Sequence, residues 1–184
     1  LALELYDTGN SDAMYFAGLI ADENAITKAQ LNDWVKKAYW YYLSEFTVPW
    51  IAADSPHGWD MAMKWIKSSK EGVAAAGWAT FASILMTHDN ETLDQARLSE
   101  LLDQVESNIH DSQNRVRYAM NGFVIAVGGG MPALTAKAQE VGAAIGKVSV
   151  NVGDTACKVP LATDYIQKVI DKDRLGKKKK MARC

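Results

Sequence analysis

In NETLDQARLSELLDQVESNIHD, residues 90–111, the apolar positions Leu93, Ala96, Leu101, Leu102 and Val105 fall on one face of a 3.6-residue period. That spacing is the pattern of the whole chain and the strongest constraint on its fold. No segment alternates with period two convincingly. KVSVNVGD, residues 147–154, reads as a short extended stretch, brief and Gly-bounded. A sheet-based domain is therefore excluded, and the expected class is all-α.

The remaining segments extend the pattern. SDAMYFAGLIAD carries Met14, Ala17, Gly18 and Ala21 on one face, with Asn10 or Ser11 as N-cap. Thr27 caps a helix whose stripe is Leu31, Trp34, Val35 and Ala38, and a second helix is expected from near Ala38 to Glu45. Pro49 suits the first turn of a helix that contains Trp50 and Asp54, and SPH, residues 55–57, ends it. A helix follows with Met61, Trp65 and Ile66 inward. KEGVAAAGWATFASILMTH is rich in small residues that permit close packing. Gly128, Gly129 and Gly130 read as a helix break, Pro132 as a helix start, Gly142 or Gly146 as a helix end, and Pro160 as the start of a last helix. About eight to ten helices in pairs of about 35 to 45 residues match the period of a helical-repeat solenoid. A compact helix bundle is the alternative.

A length of 184 residues suits one domain, residues 1–184, ending in a basic tail over 176–184. LALELYD opens in mid-pattern without Met, so the domain is expected to lack an N-terminal segment. The formal net charge of -2 excludes a uniformly basic polyanion binder. Nucleic-acid binding would need a local patch. Two cysteines, Cys157 and Cys184, form neither a disulfide framework nor a zinc site, and the compartment reads as cytoplasmic. Cys157 reads as a small buried residue. His57, His88 and His110 are scattered and read as structural. No apolar run approaches the length of a membrane span.

Three groups of residues stand out. Trp50 and Asp54 are four apart and share a helix face. They are either an aromatic wall beside a charge stabiliser or a core tryptophan beside an ordinary acid. Asn114, Arg115 and Arg117 open a helix, where Asn114 and free backbone N–H groups could meet a phosphate. A capped helix with an ion pair is the other reading. Lys177, Lys178, Lys179 and Lys180, with Arg183, form either a solvated tail or a disordered arm that grips a DNA backbone.

The order of LYDTGNSDAMYFAGLIAD, VPWIAADSPHGWDMAMKWIKSSKEGVAAAGWATFASIL and NRVRYAMNGFVIAVGG, followed by the tail GDTACKVPLATDYIQKV and GKKKKMARC, carries a resemblance over most of the chain from Leu1 to about Gly146. The chain resembles the DNA alkylation repair proteins of the AlkD-like type, alkylpurine DNA glycosylases built from HEAT-like repeats. The resemblance implies a HEAT-like solenoid holding duplex DNA, alkylated or plain, on a concave cationic surface, with no cofactor and no metal. It also implies release of cationic N3- or N7-alkylated purines. An aspartate stabilises the sugar as it becomes oxocarbenium-like. Tryptophan faces favour the positive charge. Base flipping is not required. The family's Trp-x-x-x-Asp falls on Trp50 and Asp54. Its supporting arginine falls near Ala75, and a later tryptophan and arginine fall near Gly122 and Ile125, so three groups of the family's site have other residues here.

The resulting expectation is a DNA-binding protein of the alkylation repair type. Trp50 and Asp54 would be its catalytic pair, and Asn114, Arg115, Arg117 and Lys177 to Lys180 its phosphate contacts. Two other readings stay open: a non-catalytic binder of DNA structures, and a helical-repeat scaffold for a protein partner.

Overall fold

The computed structural model describes residues 1–183, which form ten α-helices and no strand. They are α1 (Ala2–Asp7), α2 (Ser11–Ile20), α3 (Lys28–Lys37), α4 (Val48–Asp54) and α5 (Gly58–Trp65). α6 (Glu71–Thr87), α7 (Gln95–Asn108), α8 (Asn114–Gly130), α9 (Thr135–Ile145) and α10 (Ala162–Asp171) complete the set. Two layers result. The even-numbered helices lie side by side in the order α2, α4, α6, α8, α10, and the odd-numbered ones pack behind them. This is the expected helical-repeat solenoid rather than a compact bundle. No single helix is long and apolar enough to cross a membrane.

Local chemistry explains most boundaries. Asn10 caps α2 by accepting from the N–H groups of Asp12 and Ala13. Thr27 and Gln30 form a reciprocal capping box at the start of α3. Pro49 sits in the first turn of α4. α6 is apolar nearly all round because it belongs to two cores. Ala76 packs with Tyr6, Leu31, Trp34 and Trp65 on one side, while Trp78 and Phe81 pack with Leu101, Phe123 and Val127 on the other. Tyr6 stacks flat on Trp34, ring centroids 4.1 Å apart, and its hydroxyl donates to the Trp34 carbonyl at 2.9 Å. Full burial of a side chain that size contributes about 2–3 kcal/mol.

Four local expectations are corrected. The chain does not form an α-helix from Ala38 to Glu45. It bends at Ala38–Trp40 and enters a π-helical turn, Leu43–Thr47, that runs straight into α4. Gly128, Gly129 and Gly130 do not break a helix but form the last turn of α8. A Cβ at Gly128 would come within 2.4 Å of Ile166, and one at Gly130 within 2.7 Å of the Leu85 carbonyl. The absent side chains thus let α10 and α6 close on α8, and packing overrides glycine's poor helix propensity. In α7 it is Leu98, not the exposed Ala96, that completes the buried stripe. Cys157 is exposed rather than buried.

Candidate functional site

The inner surfaces of α4, α6 and α8 enclose a groove. One part of it, about 220 Å³, is lined by Trp50, Ala79, Ser83, Met86, Tyr118 and Gly122. Through Met86, Gly122 and Lys179 it opens into a larger cavity of about 510 Å³ against Val169 of α10, rimmed by Arg174 and Lys177. The floor is smooth because α6 presents Ala79, Ala82 and Ser83 and α8 presents Gly122. One wall is aromatic. Trp50 meets Phe46 at 5.8 Å and Tyr15 at 6.1 Å between ring centroids.

Trp50 and Asp54 occupy the same helix but different settings. Trp50 is half-buried and faces the groove. The Asp54 side chain is only 10% exposed. Its Oδ1 accepts the Ala182 main-chain N–H at 2.9 Å, and Arg183 Nε stands 3.9 Å from Oδ2. Oδ2 itself is buried and accepts no hydrogen bond among the described residues. At the end of α6, partial burial holds the His88 imidazole below its usual pKa, with the Asp54 charge pulling the other way.

The cover over Asp54 is the basic tail, which is a docked segment rather than a disordered arm. Gly176 N–H donates to the Gly129 carbonyl at 2.8 Å, and Lys179 N–H to the Met86 carbonyl at 2.7 Å. Lys178 turns inward. Its Nζ donates to the Leu85 carbonyl, the Asn90 amide oxygen and the Gly130 carbonyl at 2.7, 2.7 and 2.8 Å. Desolvation lowers its pKa. Arg183 donates to the carbonyls of Leu19 and Ala21 and pairs with Glu23. Lys177, Lys179 and Lys180 remain exposed, the first two lining the larger cavity.

The start of α8 is engaged within the protein. Asn114 exchanges hydrogen bonds with the Asn151 backbone, 2.9 Å to its carbonyl and 2.7 Å from its N–H, and so ties down the extended 147–154 stretch. Arg115 forms a two-pronged bridge to Glu45, both contacts 2.5 Å. Its N–H is capped by Glu71 at 2.7 Å. Burial pushes the Glu45 carboxyl up in pKa against the downward pull of Arg115. Arg117 is half-buried, and its Nε has no acceptor among the described residues. The structure therefore brings Trp50, Lys177 and Lys179 to one groove. It keeps Asn114 and Arg115 in structural bonds, hides Asp54 beneath the tail and ties the tail's own Lys178 to main-chain and amide oxygens.

The positions that the family fills with other groups also differ among themselves. Ala75 is fully buried in the core, whereas Gly122 lines the groove and Ile125 the cavity beside it. Sequence reasoning missed Glu45, Phe46 and Tyr15. The run Tyr39–Tyr42 before Phe46 was the available signal, since so many adjacent aromatics cannot all face one core.

A family model for DNA alkylation repair enzymes matches residues 1–144. The uncharacterized protein Lin0241 of Listeria innocua is 35% identical over 170 residues, which cover 91% of this chain and 72% of that one. Lmo0209 of Listeria monocytogenes, also uncharacterized, matches to the same extent. A solved structure from a new family of proteins related to the HEAT-like repeat DNA glycosylases, with affinity for branched DNA structures, has a TM-score of 0.92 and 38% identity. That match covers 100% of this chain and 78% of the other.

Proposed function

The chain belongs to the DNA alkylation repair enzyme family, and from that premise we propose that it is a non-catalytic member that binds branched DNA in the groove of α4, α6 and α8. The state of Asp54 carries this reading. A carboxylate that stabilises an oxocarbenium-like sugar must stand against it. Here the carboxylate is 10% exposed and already accepts the Ala182 N–H. The groove keeps what binding needs: an aromatic wall, and Arg174, Lys177 and Lys179 at its lining to meet phosphates, Lys177 being held only by a 3.8 Å contact with Asp173. The affinity for branched DNA of the 38%-identical relative supports the substrate class.

A second reading is release of alkylpurines from duplex DNA, favoured by the placement of Trp50 and Asp54 on one helix. It requires the tail to leave Asp54. Two measurements separate the readings. Fluorescence anisotropy should show tighter, salt-sensitive binding to a three-way junction than to a duplex of equal length. A base-release assay on N7-methylguanine DNA should show no release by the full chain. Release by the wild type that disappears in Asp54→Asn would establish the glycosylase instead. Absence of DNA affinity at low salt would leave the protein-scaffold reading.

A further inference from the structure

Tyr39, Trp40, Tyr41 and Tyr42 join α3 to the π-helical turn and are 67, 39, 41 and 37% exposed. So many adjacent rings facing water mark an interaction surface. They are also ordered. Trp40 stacks on Tyr42, with centroids 5.2 Å apart and planes 22° from parallel. Tyr42 packs on Phe46 at 4.9 Å, Phe46 meets Trp50, and Tyr15 braces Tyr42 at 5.7 Å. The rings thus form a ladder from the outer surface at Trp40 to the groove wall at Trp50. The π-helical turn belongs to this device, since it sits between Tyr42 and Trp50, and such turns concentrate at functional sites. Tyr41 is pinned under the Arg115 guanidinium at 4.6 Å, and the Tyr39 hydroxyl donates to the Gly9 carbonyl at 3.1 Å.

Positive charge accompanies the ladder. Lys179 shares a cavity with Phe46 and Trp50. Lys36, at the end of α3 and four residues before Trp40 in sequence, lines with Val35 a cavity of about 380 Å³ together with Lys64, Lys67 and Lys70. None of these lysines has a carboxylate partner among the described residues, whereas Lys28 and Lys37, on the same α3, are both paired. Unneutralised lysines beside exposed rings suit a polyanion that also offers flat apolar faces.

We propose that the Trp40–Tyr42 ladder is a stacking platform for unpaired nucleobases at the branch point of the DNA, and that Lys36, Lys64, Lys67 and Lys70 hold the phosphates of a second arm. This rests on the branched-DNA reading above. A paired duplex hides the faces of its bases, and a branch point exposes them. Stacking on aromatic side chains is sequence-tolerant because every base has a π face. Lys179 shares the groove with Trp50, and Lys36 precedes Trp40 by four residues, so one arm can follow the groove while another meets the lysine cluster.

The test uses the full chain and three probes: a three-way junction with an unpaired 2-aminopurine at its branch, the same junction fully paired, and a duplex of equal length. Wild type should bind the unpaired junction most tightly and quench the 2-aminopurine. Trp40→Ala should abolish the quenching and weaken that complex roughly tenfold, with duplex binding unchanged. Trp40→Phe should restore both. Lys36→Ala with Lys67→Ala should weaken both junctions more than the duplex and reduce their salt dependence. Circular dichroism melts confirm that the variants fold. Equal binding of all probes by Trp40→Ala and wild type overturns the platform and assigns the rings to another partner. If wild type binds none of the probes, the branched-DNA reading itself fails.

Discussion

The Asp54 carboxylate accepts the main-chain N–H of Ala182 at 2.9 Å, a bond between residues 128 apart in sequence. It makes the Asp54 side chain an anchor for the tail. If that anchor is energetically significant, deleting residues 177–184 should destabilise the fold. Lys178 alone loses three acceptors, and hydrogen bonds from charged groups contribute about 1.5–3 kcal/mol each at most. A loss of about 2–4 kcal/mol is expected, a fall in Tm of about 5–15 °C. An unchanged melt would show that the tail only rests on the surface.

The Glu45–Arg115 bridge gives a second expectation. The Glu45 side chain is 3% exposed and Arg115 19%. Removing the arginine leaves a buried, unpaired carboxylate, so Arg115→Ala should cost about 3–5 kcal/mol in urea denaturation. Glu45→Met combined with Arg115→Met should recover most of that, because no charge is then stranded. Equal losses in the single and double variants would contradict this account.

His88 supplies a pH dependence. Its folded pKa lies below the ordinary 6.5 because burial disfavours the imidazolium, against Asp54 and Asp89 and with the help of Lys178. The unfolded chain therefore binds more protons in the window just below 6.5. The stabilisation from His88 is complete above that value and is lost as pH falls through the folded pKa. Compared with His88→Gln, wild type should lose stability as pH falls below the ordinary imidazole value of 6.5. Parallel curves for the two proteins would remove His88 as the cause.

Glycines of one helical context should behave oppositely. At Gly77 a Cβ would lie 2.6 Å from the Ile66 nitrogen, where α5 and α6 nearly touch. Gly77→Ala should cost about 1–3 kcal/mol despite alanine's better propensity. At Gly122 nothing lies within 4 Å, so Gly122→Ala should stabilise by about 0.5–1 kcal/mol. Thermal melts of the pair decide it.

These contrasts explain what the sequence could reveal. Trp34 and Trp65 each fall on the apolar stripe of their own helix and are buried as expected, because local periodicity determines which face a helix hides. The partners of Arg115, Asp54 and Lys178 lie 70, 128 and 93 residues away. No local pattern records such acceptors, so the ion pair of an arginine at a helix start was left open and without a named partner, and a lysine run read as a solvated tail or a disordered arm. Gly128–Gly130 misled for a related reason. Propensity describes an isolated helix, and the close approach of Ile166 and Leu85 is a tertiary fact. Trp50 was legible as a wall, but the cover over Asp54 was not.

Arg183 reaches the carbonyls of Leu19 and Ala21, 164 and 162 residues away. A repeat stack normally behaves as a one-dimensional array in which each unit feels only its neighbours and the ends fray first. Here the last described residue of the chain buckles onto the second helix, so the array has the connectivity of a loop. Partial unfolding from the C-terminal side must then break contacts in the first repeats. The chain should melt in a single cooperative step, and loop closure over nearly its full length should slow the final folding event.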